Sequence, residues 1–350
     1  MILLDFSALM HQMIFSSVKT IQPRKENEQY ITKDFINYTK YLILENIFDI
    51  QNRFRTYKDL VICLDNTRNG NWRKEVLGSY KSQRTVTRAK SDINYSEVFK
   101  EIDDFLDFLK LHSPYHVVSV SKAEGDDVIL CLAKAYAKSE PIMIISSDKD
   151  MIQAQKHGDV KQYSLLTRKF ITAETKADNM NDWLLEHVVL GDACDEVPRI
   201  IDDTVFSDDF EDFLKTRNIT LTPKQFLEHR EKLETKFSEL GFSKEFFKKE
   251  RFGMSTLKRR IRDFKTLDNW LDSNELYRIN FERNKKLVLE EYIPEFVLKE
   301  SIKQVQESSS EFNVKEFRKY LEENQLTNLE SKLPDCFFTQ KISADDFLDF

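Results

Sequence analysis

Short apolar runs that stop at a carboxylate mark the first half of the chain. Residues 2–4 end in Asp5, 60–64 in Asp65, and 142–145 in Ser146, Ser147 and Asp148; the run 115–120 is followed by Glu124. Between them lie longer segments with apolar residues at helical spacing, such as Phe99, Ile102, Phe105, Leu106, Phe108 and Leu109, and again over 128–136. Strand-like runs alternating with helical patterns predict βαβ units and an α/β fold with a central, mainly parallel sheet flanked by helices. Uninterrupted apolar runs fit strands covered on both faces. After Pro198 the pattern changes. An acidic, Phe-rich stretch with Asp202, Asp203, Asp208, Asp209, Glu211 and Asp212 reads as a solvated surface insertion, and helical patterns then continue to about residue 330.

Composition supports the helical bias. The 350 residues contain 7 Gly and 7 Pro, where average usage would give roughly 25 and 18, too few turn residues for a many-stranded sandwich, barrel or propeller. No run approaches the roughly 20 apolar residues that cross a bilayer. The N-terminal run carries Asp5 and no basic lead, so no signal peptide is expected. Cys63, Cys131, Cys194 and Cys336 lie far apart without a CxxC pair, so neither zinc-ligand spacing nor a disulfide framework is expected. Reduced thiols suit a cytoplasm.

The net charge of −7 argues by itself against a nucleic-acid binder, but its distribution does not. Residues 68–90 hold seven Lys/Arg and one acid; residues 244–265 hold nine Lys/Arg and three acids. An acidic chain with two basic islands suits a protein that grips phosphate in some places and holds cations in others.

In open α/β sheets ligands sit outside the carboxyl ends of the strands. Asp5, Asp65, Glu124, Asp126, Asp127, Asp148 and Asp150 are therefore expected to converge on one edge of the sheet, and Asp192 and Asp195 to join them. Any one of them alone reads equally well as a helix N-cap; so many together require cations, because like charges raise one another's pKa. A set of hard oxygen donors without His or Cys favours Mg²⁺ or Mn²⁺. Two such ions roughly 3.5–4 Å apart would clamp the attacking and leaving oxygens of a phosphoryl transfer. Ser7, where dehalogenase-type chemistry would want a second Asp, weakens that option, and no GxxxxGK[ST] loop is present. In the segment 78–84, GSYKSQR, Lys81 and Arg84 are three apart and would share a helix face from which they reach a scissile phosphate. Tyr80 beside them would stack on a base, and Trp72 is read as a packing residue.

The order of these motifs resembles the 5′-nuclease, or flap endonuclease, superfamily. ILLDFS at 2–7, CLDNTRNGNWR at 63–73, YKSQR at 80–84, EGDD at 124–127, IISSDKD at 144–150 and GDACDEVP at 191–198 carry the resemblance across most of residues 1–200, and FGMSTLKRRI at 252–261 extends it more weakly. The resemblance implies a Mg²⁺-dependent structure-specific nuclease, a ribonuclease H-type 5′-3′ exonuclease or flap endonuclease. Such an enzyme removes RNA primers or 5′ flaps in lagging-strand replication by two-metal phosphodiester hydrolysis.

Family metal ligands map to Asp5, Asp65, Glu124, Asp126, Asp127, Asp148, Asp150, Asp192 and Asp195, and the catalytic basic pair to Lys81 and Arg84 on an arch over about 68–95. Arg73, Tyr80 and Arg88 in that region, and Lys258, Arg259 and Arg260 further on, are the expected nucleic-acid contacts. The expected division is an α/β nuclease domain at 1–198, a helical, helix–hairpin–helix-like DNA-binding domain at 199–330 and a tail at 331–350. The family's GVPGIGxKTA continuation is absent after Pro198, so a duplex-gripping hairpin would resume near Gly253. In the tail, Phe347, Leu348 and Phe350 are candidate anchors for a sliding clamp. The expected partners are a DNA flap or RNA–DNA hybrid and that clamp; the expected state is a monomer in the cytoplasm, that of the host if the chain is phage-encoded. A non-catalytic nucleic-acid-binding scaffold is the alternative, disfavoured because all nine ligand positions are acidic.

Overall fold

Alternate side chains of each buried run face opposite cores, which is what makes these runs strands. Ile2, Leu4, Leu60, Ile62, Val117, Met143 and Ile145 enter one core, whereas Leu3, Val61, Cys63, Val118, Ile142 and Ile144 enter a second on the other face of the sheet. The computed structural model describes residues 1–21, 33–84, 93–172, 180–201, 204–221, 223–249, 252–308 and 312–338.

Strands β1 (Ile2–Asp5), β2 (Leu60–Leu64), β3 (His116–Ser119), β4 (Ile142–Ile145), β5 (Val160–Ser164) and β6 (Lys169–Ile171) form one sheet in the order β3-β2-β1-β4-β5-β6. The first five are parallel and β6 runs antiparallel to β5. Leu4 is in register with Ile62 on one side and Ile145 on the other. The chain winds outward from β1 through β2 to β3, then crosses back to β4, so the winding reverses between β1 and β4. The carboxyl ends of those two strands flank the crevice where open α/β sheets bind ligands. β5 and β6 have no apolar run to announce them; β5 alternates Lys161 with the buried polar Gln162.

The chain divides into two compact units, one made of Met1–Trp183 with the chain from Val288 onward, the other of Leu184–Leu287. This differs from the expected boundaries at 198 and 330, and the packing gives the reason. Phe312, Phe317, Leu321, Leu326, Leu329, Leu333 and Phe337 complete the first core, and Val297 and Val305 complete the second. On the helix Glu295–Glu307, Gln304 covers the exposed edge of the sheet. Its side-chain amide accepts from Ser119 N at 2.9 Å and donates to Ser119 O at 3.1 Å, taking the place of a further strand.

In the second unit the expected solvated insertion is folded around aromatic rings. β7 (Thr204–Phe206) pairs antiparallel with β8 (Phe247–Lys249), and Phe206, Phe210, Phe226, Phe237 and Phe242 are buried together. Burying each such ring contributes about 1.5–3 kcal/mol, while Asp209 and Asp212 stay exposed, Asp209 in an ion pair with Lys244 at 2.8 Å. Among the described residues no helix is long and apolar enough to cross a membrane.

Candidate active site

At the end of β1, Asp5 caps the helix Phe6–Thr20 by accepting the Ala8 N–H at 2.9 Å. Its second oxygen accepts the Ser146 hydroxyl, from the end of β4, at 2.7 Å. Ser146 is buried and also accepts the Asp148 N–H at 3.1 Å, so one side chain links the two strand ends at the winding reversal. Asp148 in turn accepts the Asp150 N–H at 2.9 Å, and Gln162 of β5 donates to the carbonyls of Ser146 and Asp148 at 3.0 and 2.6 Å. Burial pushes the Asp5 carboxyl above the usual carboxylate range; the hydrogen bonds from Ala8 and Ser146 oppose this, and the neighbouring charge of Asp65 adds to it.

At the end of β2, exposed Asp65 accepts the Gly125 N–H at 2.7 Å and so ties that strand to the helix Gly125–Tyr136. Space around this glycine is tight. A Cβ on Gly125 would lie 3.0 Å from Cys63 O and 3.3 Å from Asp65 Oδ1.

Glu124 and Asp127 are both buried at the start of that helix and form a reciprocal capping box. Their charges are already met. The Arg73 guanidinium, 5% exposed, donates to Glu124 Oε2 at 3.2 Å and Asp127 Oδ2 at 3.0 Å, with its other Nη 2.7 Å from Asp127 Oδ1. Trp72 Nε1 donates to Asp127 Oδ2 at 2.9 Å, the Tyr80 hydroxyl to Glu124 Oε2 at 3.0 Å, and Lys81 Nζ to Glu124 Oε1 at 2.7 Å. Burial raises the Glu124 pKa, but Lys81 and Arg73 outweigh it, leaving the carboxyl below its ordinary value. Half-buried Asp126 goes the other way, pushed well up by desolvation and by Glu124 against the opposing charge of Arg73.

Two expected nucleic-acid contacts are therefore structural. Tyr80 is 2% exposed and Arg73 5%, so neither a ring face for a base nor a guanidinium for a phosphate is presented to a ligand. Trp72 packs as expected, under the Arg73 guanidinium at 4.5 Å, and supplies the Asp127 hydrogen bond as well. Lys81 and Arg84 are not brought together by a shared helix face. Lys81 has φ +53°, a left-handed turn preceding the helical residues 82–84. They meet instead as walls of one cavity of about 500 Å³, which Asp65, Glu124 and Lys74 also line. Arg88, Phe347, Leu348 and Phe350 lie outside the described residues.

The donors at these strand ends fit a hard divalent cation in chemistry: all are carboxylate oxygens, and burial first, then neighbouring carboxylates, push the pKa values of Asp5 and Asp126 upward, a like-charge crowding that a cation relieves. Yet among the described residues no group of three or more His, Cys, Asp or Glu is arranged to hold an ion. Glu124 and Asp127 turn their oxygens to Arg73, Lys81, Tyr80 and Trp72 instead.

Asp192 and Asp195 belong to the second unit. There Asp192 Oδ2 lies 3.6 Å from His187 Nε2 and Oδ1 accepts the Cys194 N–H at 2.6 Å; the His187 interaction first, then these backbone contacts against a desolvation penalty, lower its pKa to about 2. Gly191 permits this turn: its φ is +66°, and a Cβ would meet Val197 O at 2.2 Å. In the same unit, Lys258 and Arg259 are exposed and Arg260 is half-exposed on the helix Met254–Asp263. Ser146, Gln162 and the carboxylate-holding role of Trp72 escape a sequence reading. Ser146 had one signal, its place directly after an apolar run.

A sheet that winds both ways from β1, with carboxylates at the reversal and a basic segment beside them, is an arrangement suited to chemistry on phosphate. The model of the 5′-3′ exonuclease N-terminal, resolvase-like domain matches residues 1–182, more than half of the 350-residue chain, and the chain belongs to this family. It is 30% identical over 201 residues to the ribonuclease H of Enterobacteria phage T4, covering 57% of this chain and 62% of that protein. It is 26% identical over 165 residues to a 5′-3′ exonuclease of Buchnera aphidicola, covering 46% of this chain and 54% of the relative. The chain thus spans less than two thirds of the length of these curated relatives. A structure of the phage T5 5′-exonuclease with bound divalent zinc has the same fold, with a TM-score of 0.56, 14% identity, and coverage of 89% of this chain and 99% of that one.

Proposed function

We propose that this protein is a divalent-metal-dependent 5′ nuclease that hydrolyses phosphodiesters in RNA primers or displaced 5′ flaps during lagging-strand synthesis. The observation that carries the reading is the shared cavity, lined by Asp65 from the end of β2, Glu124 from the start of the helix Gly125–Tyr136, Lys81 and Arg84. Carboxylates and cations lining one cavity suit a ligand that is itself a metal–phosphate pair.

Asp5, Asp65, Glu124, Asp126, Asp127, Asp148 and Asp150 are the residues of the first unit that would hold Mg²⁺ or Mn²⁺, in a pair of ions; Asp192 and Asp195 are candidate ligands within the second unit. Divalent ions held there supply charge stabilisation on the phosphoryl oxygens and an acidified water. Ser146 orients Asp5 through its 2.7 Å hydrogen bond, and Gly125 fixes Asp65. Lys81 and Arg84 bind the scissile phosphate and stabilise the charge that grows on it. Lys258, Arg259 and Arg260 hold duplex backbone without reading its sequence. Phe347, Leu348 and Phe350 tether a monomeric enzyme to a sliding clamp in the cytoplasm where replication takes place.

Asp148→Asn and Asp65→Asn test the reading. Each should abolish cleavage while the protein stays folded and still binds DNA; near-normal turnover in both variants contradicts it.

A further inference from the structure

Glu124 is held by two cations of different kinds. Arg73 is buried, fixed between two carboxylates and stacked on Trp72, and its pKa rises well above the usual arginine value because those acids outweigh its desolvation. Lys81 approaches from the cavity side, on a residue in the left-handed region, and places its Nζ 2.7 Å from Glu124 Oε1. Arg73 keeps the carboxylate in place, whereas Lys81 sits on the oxygen that the cavity side would offer to an incoming cation. Among the described residues no group of three or more His, Cys, Asp or Glu is arranged to hold an ion, and Glu124 Oε1 is taken by Lys81.

We propose that the Lys81–Glu124 ion pair is an exchangeable clasp that couples divalent-ion binding to phosphate binding in this cavity. The inference rests on the nuclease reading above and concerns the regulation of that same site. An ion that engages Glu124 displaces the Lys81 ammonium, which is then available to a phosphate; a phosphate that draws Lys81 away frees Glu124 for the ion. Each ligand thereby relieves a cost that the other meets, and the coupling must be equal in both directions. The clasp also supplies a counter-charge to Glu124 while the ion is absent, limiting the like-charge repulsion at the strand ends. Arg73 takes no part in the exchange, since its removal would leave two carboxylates buried without a partner.

Mn²⁺ binding to the full chain, followed by the loss of the free-ion paramagnetic resonance signal, tests this with and without a saturating 5′-phosphorylated, all-phosphorothioate single strand. In the wild type the strand should tighten Mn²⁺ by at least about fivefold, and Mn²⁺ should tighten the strand by the same factor. Lys81→Met should bind Mn²⁺ more tightly than the wild type when no strand is present, and the strand should then change that affinity much less. Lys74→Met removes a positive charge from the same cavity wall without touching the Glu124 bond, and should tighten Mn²⁺ distinctly less. In a Glu124→Gln background the advantage of Lys81→Met should vanish, which isolates the pair.

Equal Mn²⁺ affinities in wild type and Lys81→Met, or equal gains from Lys81→Met and Lys74→Met, overturn the clasp. If the wild type also cleaves 5′-ended DNA with Mg²⁺, only the clasp falls and the nuclease reading stands. Absence of any Mn²⁺ binding to the wild type overturns both.

Discussion

The Trp72 indole N–H and the Asp127 carboxylate meet at 2.9 Å across 55 residues of sequence, both buried. The bond fixes the start of the helix Gly125–Tyr136 against the segment that carries Lys81, so the acidic and basic halves of the site are joined by a structural contact as well as by charge. Trp72→Phe keeps the packing but leaves one oxygen of Asp127 short of a donor. Urea unfolding should show a loss of about 1–3 kcal/mol, with cleavage reduced but present.

Arg73 anchors the same junction more strongly. Arg73→Met leaves Glu124 and Asp127 buried without their principal cation, and breaking a buried pair from one side costs about 3–5 kcal/mol. The melting temperature should fall sharply, whereas Arg73→Lys should recover part of it. DNA affinity measured on the folded fraction should change little, since Arg73 is buried away from ligand; a large loss of affinity at unchanged stability would return Arg73 to the DNA-contacting set.

Gly125→Ala introduces a methyl group within 3.3 Å of Asp65 Oδ1 and 3.0 Å of a backbone carbonyl. Asp65 must give by a few tenths of an ångström, less than the 1 Å that costs on the order of 100-fold in rate. Turnover should drop by less than that factor, with a smaller fall in melting temperature; unchanged turnover would show that the position of Asp65 does not matter.

Those three predictions divide by what a sequence reveals. Asp5, Asp65 and Asp148 were legible because each ends an apolar run too short for a helix and long enough for a strand, and a strand end has only one functional edge in an open sheet. Arg73 and Tyr80 were not. Inside a basic island they look solvent-facing, and the carboxylates that bury Arg73 come 51 and 54 residues later. The helices after Val288 likewise showed their amphipathic faces without showing which core those faces join, so their return to the first unit was invisible. The Phe-rich stretch misled for a related reason: its acids are consecutive in sequence, while its rings converge only in space.

His116 gives a pH dependence that involves no candidate ligand. Burial lowers its pKa, against a smaller opposing pull from Asp59, and its ring hydrogen-bonds the Ser308 hydroxyl at the end of the helix Glu295–Glu307. The unfolded chain therefore takes up this proton first as pH falls. Stability should be fully present above about pH 6.5 and decline as pH drops through that value toward the lowered folded-state pKa, with no further loss below it. Thermal melts of wild type and His116→Gln from pH 7.5 to 5 should converge as pH falls; parallel curves would show that His116 does not titrate on unfolding.

Arg259→Ala with Lys258→Ala should weaken duplex binding and flatten the dependence of affinity on salt by roughly one to two phosphate contacts, leaving cleavage of a short single strand near normal. An unchanged salt slope would place the duplex elsewhere.

The central claim is hydrolysis of a 5′-ended strand that depends on divalent metal. Its most direct measurement is the incubation of a 5′-labelled DNA flap and a 5′-labelled RNA–DNA hybrid with the full chain, with Mg²⁺ or with a chelator, sizing the products. Short labelled products should appear from at least one substrate with Mg²⁺, disappear with the chelator, and fail to form with Asp148→Asn. Intact substrates with Mg²⁺, or equal cleavage in the presence of the chelator, would contradict the account.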